Sequence, residues 1–168
     1  CYWFGGYVGG NPFASFWLEL FGDDNVDGCG FDIDCKYCAA NANSSGSPAD
    51  LLGSGGTSAS SGLVTMTSSP VPLNQNGIFF HGANQGQVPF GCSFLCVLGN
   101  QQRGTVTNTG GTGSSSYTYD NSDAKHSLGA FVGATRNFQH WFRDPMNSAN
   151  CGGQTFNTSN AVSGTIAP

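Results

Sequence analysis

Residues 76–98 read NGIFFHGANQGQVPFGCSFLCVL and contain two strand signals separated by turn-forming residues. The dipeptide Asn76-Gly77 is a turn signal, and the apolar triplet 78–80 follows it directly. Residues 94–98 form a continuous apolar run of the kind found in buried strands. This stretch therefore predicts short β-strands joined by turns.

The same pattern continues on both sides of this stretch. Residues 63–67 alternate between apolar and polar side chains. Further strands are expected at 103–109, 115–119, 137–142 and 159–166. Within 137–142 the even-numbered side chains would share one face of the sheet, and Gln139 and Trp141 the other. Residues 124–134 are expected to hold one helical turn at most. The pattern predicts an all-β fold, a single sandwich or jelly-roll-like domain after a Cys-rich, loop-rich N-terminal segment.

The composition supports the same fold class. The 168 residues suit one domain, and only 9% of them are charged, compared with roughly 25% in typical soluble domains. Gly, Ser, Thr and Asn suit turns and pleated surfaces better than helix surfaces.

The net charge of −5 and the dispersal of the five basic residues argue against nucleic acid as a partner. No apolar run approaches the roughly 20 residues of a transmembrane helix, and a start at Cys1 rather than Met indicates an upstream segment.

Seven cysteines in so polar a chain indicate an oxidising compartment, and we expect a secreted, extracellular or cell-surface protein. The C-x-x-C pair Cys35 and Cys38 leaves zinc and redox chemistry as weaker alternatives to structural disulfides. The candidates for disulfides are Cys29, Cys35, Cys38, Cys92, Cys96 and Cys151, with the pairing left open. Because seven cysteines cannot all pair internally, Cys1 is the candidate for a free, lipid-modified or intermolecular cysteine.

The densest group of acidic residues lies between Asp23 and Asp34 and matches the pattern D-x-N-x-D-G. The candidate calcium ligands are Asp23, Asn25, Asp27, Asp32 and Asp34. Crowded carboxylates repel one another unless a cation neutralises them, and calcium takes six to eight oxygen ligands. Position 12 is Asp rather than Glu and no flanking helices are predicted, so the segment is not an EF-hand. The alternative is a solvated acidic turn fixed by disulfides.

Four segments follow from these features: an aromatic, Gly-rich arm (1–22), an acidic Cys-rich loop (23–38), a Gly/Ser-rich linker or long loop (39–62) and a β-sandwich domain (63–168). The arm either packs on its own domain or docks on a neighbouring copy, since exposed apolar patches mark interfaces. The candidate assembly residues are Cys1, Tyr2, Trp3, Phe4, Tyr7, Phe13, Phe16 and Trp17.

Catalytic residues are not convincingly grouped in the sequence. The three histidines, His81, His126 and His140, are scattered, and no G-x-S-x-G motif occurs. The carboxylates outside the acidic loop are Glu19, Asp50, Asp120, Asp123 and Asp144, and no spacing selects a glycosidase pair among them. Arg143 and Asp144 are expected to form a local ion pair at a strand end. We therefore expect a protein without enzymatic activity, and a hydrolase is a distant third hypothesis.

The three tryptophans, Trp3, Trp17 and Trp141, together with abundant Asn and Asp, also suit carbohydrate binding. An aromatic face stacks on a sugar ring while amides bond its hydroxyl groups, although core packing explains the same residues. Asn43 and Asn157 each begin an N-x-S/T sequon, which matters only in a host that glycosylates them.

Three segments taken in order resemble a known family. They are 76–82 (NGIFFHG) with 88–91 (VPFG) and Cys96, then 137–145 (NFQHWFRDP), then 156–162 (FNTSNAV). Together they resemble a domain that closes many uncharacterised secreted proteins of planctomycete-type bacteria, over roughly residues 28–168. The resemblance implies export and a β fold, and it brings no assigned activity and no site residues.

The first functional hypothesis is an extracellular structural subunit that self-assembles into a filament or surface layer through its N-terminal arm. A surface with few charges offers little repulsion between copies, and β faces rich in Ser, Thr and Asn pack readily. The alternative is a carbohydrate-binding or adhesive cell-surface module. The expected partners are therefore copies of the same chain or glycans.

Overall fold

Ten β-strands and two short 3-10 helices form the regular structure of the chain in its computed structural model, which describes residues 33, 35–60, 62–121 and 128–168. The strands are β1 (Cys35–Tyr37), β2 (Asp50–Gly55), β3 (Leu63–Ser69), β4 (Asn76–Gly82), β5 (Asn84–Phe90), β6 (Ser93–Leu98), β7 (Gln102–Asn108), β8 (Ser115–Asp120), β9 (Thr135–Arg143) and β10 (Phe156–Thr165). The 3-10 helices are Gly129–Phe131 and Pro145–Asn150. Neither is long and apolar enough to cross a membrane, a finding that covers only the described part of the chain.

The strands form three antiparallel groups. The largest is a five-stranded sheet in the order β1-β10-β9-β4-β7, and a three-stranded sheet has the order β2-β3-β8. Strands β5 and β6 pair only with each other, as a hairpin. The all-β sandwich prediction is confirmed, and every strand predicted from the pattern overlaps an observed strand.

The main core lies between the inner face of the five-stranded sheet and the three-stranded sheet. Both sheets contribute large side chains that are at most 3% exposed, among them Leu51, Val64, Met66, Phe79, Tyr119, Phe138 and Val162. Strand β3 shows why: its residues alternate between buried and exposed, as a strand with one buried face requires. Each fully buried side chain of this size stabilises the fold by about 1.5–3 kcal/mol.

A second, smaller core lies on the outer face of the five-stranded sheet, where the β5–β6 hairpin covers it. Its buried members are Phe80, Cys96, Val97 and Ala161, and Trp141 packs against them. The alternation predicted along β9 is confirmed, since Phe138 faces the main core whereas Trp141 faces the hairpin. The hairpin therefore makes the fold three layers thick over part of this sheet.

Two sequence interpretations differ from the structure. Residues 50–55 form β2 although the composition of 39–62 predicts a linker or long loop, because the backbone pairs with β3 and Leu51 is fully buried. Regular β structure thus begins before residue 63. The expected Arg143–Asp144 ion pair does not form: Arg143 is exposed, whereas the buried Asp144 carboxylate accepts the backbone N–H of Ser44 at 3.1 Å.

Candidate binding groove

A groove of about 370 Å³ lies where the hairpin leaves the outer face of the five-stranded sheet uncovered. We call it the Trp141 groove, and its lining residues are Ile78, Phe80, Phe90, Leu95, Gln101, Arg103 and Trp141. Its volume falls within the roughly 300–1,000 Å³ that is typical of small-molecule sites. An apolar floor with a few polar side chains at its edge is likewise the usual composition of such sites.

The floor of the groove follows from the strand register. Trp141 of β9 lies opposite Ile78 of β4, and Ile78 lies opposite Val106 of β7. In the next row Phe80 lies opposite Arg103, after a bulge between Ile78 and Phe80. Directly opposed side chains share one face of a sheet, so these residues form a continuous apolar surface that ends at a guanidinium group.

Aromatic side chains continue the floor towards the hairpin. The rings of Trp141 and Phe156 lie 5.7 Å apart, and those of Phe156 and Phe90 lie 5.0 Å apart. Both distances are in the range of favourable aromatic pairs. Phe90, at the outer end of this row, is 38% exposed, which leaves part of its ring available to a ligand.

Two disulfides fix the hairpin wall of the groove. Cys38 pairs with Cys96 inside β6, and Cys92, in the hairpin turn, pairs with Cys151. These four cysteines and Cys35, which is also disulfide-bonded, confirm the disulfide prediction for five of the six candidates. Cys29 lies outside the described residues.

A buried amide ties the same wall to the sheet. Gln139 accepts the backbone N–H of Cys96 at 2.9 Å and donates to the carbonyl oxygens of Phe94 and Ser159 at 2.9 and 2.8 Å. The hydroxyl of Thr158 donates to the same Phe94 carbonyl at 2.8 Å. The Phe94 carbonyl and the Cys96 N–H of β6 are thereby bonded to side chains of the sheet, which holds β6 against β9.

Polar groups occupy the edge of the groove. The Gln101 side chain is exposed and donates to the carbonyl oxygen of Val97, which anchors its amide beside the hairpin. Arg103 is exposed and is the one charged side chain in the lining. The groove can therefore offer a ligand aromatic faces, an amide and a guanidinium donor.

The two described histidines lie on the opposite face of the sheet, in the main core. Burial lowers the pKa of His140 to about 3, and burial together with the charge of Arg136 lowers the pKa of His81 to about 4. Both rings are therefore neutral near pH 7. Neither lines the Trp141 groove, and His126 lies outside the described residues.

The described carboxylates outside the acidic loop lie apart from the Trp141 groove. Asp50 forms an exposed ion pair with Lys36 at 2.8 Å, and Asp144 is buried. Neither of them, nor Asp120, lines the groove. Glu19 and Asp123 lie outside the described residues.

The predicted calcium ligands Asp23, Asn25, Asp27, Asp32 and Asp34 also lie outside the described residues, so calcium binding stays a prediction. The part of the chain that is described holds no group of three or more His, Cys, Asp or Glu side chains suited to a metal ion.

The assembly candidates, from Cys1 to Trp17, all lie outside the described residues as well. Of the three tryptophans, Trp141 is the one that belongs to the described residues.

Both sequons lie in packed parts of the fold. Asn43 is 3% exposed and donates to the Pro70 carbonyl, and Asn157 is fully buried and donates to the Ala42 carbonyl. An attached glycan would displace both hydrogen bonds. These asparagines are thus structural in the folded protein.

The sequence interpretation found Trp141 but missed its neighbours. Arg103 and Gln101 had no local signal, because they reach Trp141 only through the pairing of β7 with β4. Phe90 does carry a local signal, because it is an aromatic residue directly after Pro89 in a strand that is otherwise mostly polar.

Comparison with known proteins gave no match: no family model, no curated protein and no solved structure is similar to this chain.

Proposed function

We propose that this protein is an extracellular carbohydrate-binding module that holds a saccharide in the Trp141 groove. The observation that supports this most directly is that Trp141 and Phe90, each packed against the ring of Phe156, line a groove together with an exposed amide and a guanidinium. The apolar face of a pyranose ring stacks on aromatic rings, while its hydroxyl groups need donors and acceptors at the edge. The lining of this groove supplies both.

Export is part of the same proposal. Two disulfides close loops across the described structure, and such bonds persist in oxidising compartments. A saccharide on a cell surface or in an extracellular matrix is a ligand that an exported protein meets. The proposed role is adhesion, since the lining side chains serve stacking and hydrogen bonding.

A glycan array that carries neutral and acidic saccharides, followed by titration calorimetry with the best hit, tests this function. We expect both Phe90→Ala and Trp141→Phe to weaken binding. Phe90→Ala should weaken it by about tenfold, because stacking of a sugar on an aromatic ring contributes on the order of 1 kcal/mol or more per ring. Met146→Ala is the control, since Met146 is 84% exposed and lies outside the groove. Circular dichroism verifies that each variant is folded. An array without hits, or hits unaffected by both groove variants, would overturn the proposal.

Self-assembly into a filament or surface layer is the second candidate, and a specific observation favours it. Strand β7 is an edge of the five-stranded sheet, and Val106 within it is 62% exposed. An edge strand presents backbone groups that can pair with another chain, and few charges on it oppose that contact. The aromatic arm 1–22 of a neighbouring copy is the segment that would make it.

Electron microscopy of the purified full chain tests assembly. Regular polymers are expected, and deletion of residues 1–22 should yield folded monomers of uniform size. Introducing a charge into the edge strand, as in Val106→Lys, should also prevent polymers. Leu63→Lys should not, because Leu63 is similarly exposed, at 53% compared with 62%, but lies outside β7. Monomers of the intact chain at high concentration would count decisively against assembly.

A further inference from the structure

The described cations that remain available to a ligand lie on one face. Lys36 is paired with Asp50, and Arg136 is 3% exposed, in the main core. Arg103 and Arg143 are both exposed. Arg103 lines the groove, and Arg143 follows Trp141 by two residues on β9, which places it on the same face of the sheet.

Among the described residues that line the groove, none carries the opposite charge. The described carboxylates are Asp50, Asp120 and Asp144, and the groove lining contains none of them. Arg103 in the lining, and Arg143 on the same face of the sheet, thus have no carboxylate among the described lining residues to neutralise them. Such a surface attracts an anionic ligand and disfavours a cationic one.

We propose that the Trp141 groove selects acidic polysaccharides, with a uronic acid ring stacked on the aromatic floor and its carboxylate paired with Arg103 or Arg143. This inference rests on the proposed saccharide-binding function. The carboxylate of a uronic acid projects from the edge of the ring, so a ring that lies flat on Trp141 directs it sideways, towards the flanking arginines. Guanidinium groups bind carboxylates through two parallel hydrogen bonds, which makes the contact selective as well as attractive.

The decisive probe pair is oligogalacturonate and its methyl ester, which share the sugar ring and differ in charge. Calorimetry in the presence of EDTA, which prevents calcium cross-linking of the acid, should show at least tenfold tighter binding of the acid. Arg103→Gln together with Arg143→Gln should abolish that preference, because the loss of both guanidinium groups weakens binding of the acid far more than binding of the ester. Lys36→Gln is the matched control, because it removes an exposed cation outside the groove, and it should retain the preference.

Each alternative outcome has a definite meaning. Equal affinity for acid and ester, or a preference that survives loss of both arginines, overturns the acidic selectivity while the saccharide function stands. Tighter binding of dextran sulfate than of oligogalacturonate overturns the assignment to a carboxylate. Failure of every saccharide to bind overturns the proposed function, and this inference with it.

Discussion

Arg136 donates two hydrogen bonds to a single acceptor, Nδ1 of His81, at 3.1 Å from Nε and 2.8 Å from Nη2. Because a guanidinium group only donates, Nδ1 must accept through its lone pair and carries no proton. The proton of the neutral ring therefore lies on Nε2. His81 is 2% exposed, and the guanidinium also lies 4.0 Å above the ring of Phe131. Protonation of His81 would break both hydrogen bonds and place a second cation beside a buried one.

The stability of the protein should therefore fall as the pH is lowered from 6.5 to 5. Over this range both histidines become protonated in the unfolded chain. In the folded protein their pKa values are lowered, to about 4 for His81 and about 3 for His140, so both imidazole rings stay neutral. The unfolded state then binds more protons, and the free energy of unfolding declines by up to about 1.4 kcal/mol per pH unit for each histidine. Urea unfolding at several pH values measures this slope.

His140→Leu provides the control for this prediction. Neither ring nitrogen of His140 has a hydrogen-bond partner, and the ring stacks 4.0 Å from Phe79. Leucine removes the titrating group, so the slope should fall by about half whatever the variant's absolute stability. A slope that is unchanged in His140→Leu would contradict the assignment.

Gly77→Ala should destabilise the protein by about 2 kcal/mol. A Cβ at this position would lie 2.8 Å from the carbonyl oxygen of Trp141 and closer still to Nε2 of His140, and the packed core offers little room to relax. Gly111→Ala is the matched control, because nothing lies within 4 Å of its added Cβ. Thermal unfolding compares the melting temperatures of the two variants. Equal melting temperatures would show that the packing of β4 against β9 has room for the added Cβ.

Gln139→Leu should cost about 3 kcal/mol and weaken saccharide binding. The substitution keeps the size of the side chain but leaves the N–H of Cys96 and the Ser159 carbonyl without their partner. Gln85→Leu, at an exposed position of β5, is the control. Chemical denaturation gives the stability and calorimetry gives the affinity. A Gln139→Leu protein as stable as the control variant would refute the role of the amide.

Loss of the Cys92–Cys151 disulfide should affect both stability and binding. The bond closes a loop with a sequence separation of 59, and removal of such a bond costs about 2–4 kcal/mol. Because Phe90 lies two residues before Cys92, the double variant Cys92→Ser with Cys151→Ser should also bind saccharide more weakly. Urea unfolding and calorimetry test the two effects separately. An unchanged urea midpoint would contradict the first of them.

Calcium binding by the acidic loop predicts a chelator effect. EDTA should lower the melting temperature of the full chain, because a ligand that binds only the folded state stabilises it. Asp23→Ala together with Asp27→Ala should remove the sensitivity to EDTA. Asp50→Ala, whose carboxylate forms an exposed ion pair, should keep it. Identical melting curves with and without EDTA would end the calcium hypothesis.

The strands that the sequence predicts are those with a local signal. The apolar run of β6 and the alternation of β3 show in the residues themselves, and both strands were located to within two residues. Strand β5 contains Gly86 and Pro89 among polar residues, and it exists because it pairs with β6. Strand β2 has Leu51 as its one fully buried apolar side chain, so its composition resembles a loop.

The groove was predictable only in part for a related reason. Alternation along β9 indicates that Trp141 faces away from Phe138, and this is a property of one strand. The position of Arg103 beside it depends on which strand pairs with β4 and on a bulge that shifts the register after Ile78. Such long-range pairing is absent from any short window of sequence, so the charged edge of the groove emerges only in the folded chain.

The covalent attachment of the hairpin has a consequence for how a ligand is recognised. Because disulfides secure both its turn and the middle of β6, the groove wall cannot swing to meet a ligand, and its width is set before binding. Association then requires little ordering of the protein, and discrimination depends on fit to a rigid template rather than on closure. The backbone of residues 84–98 should accordingly superimpose in free and saccharide-bound structures.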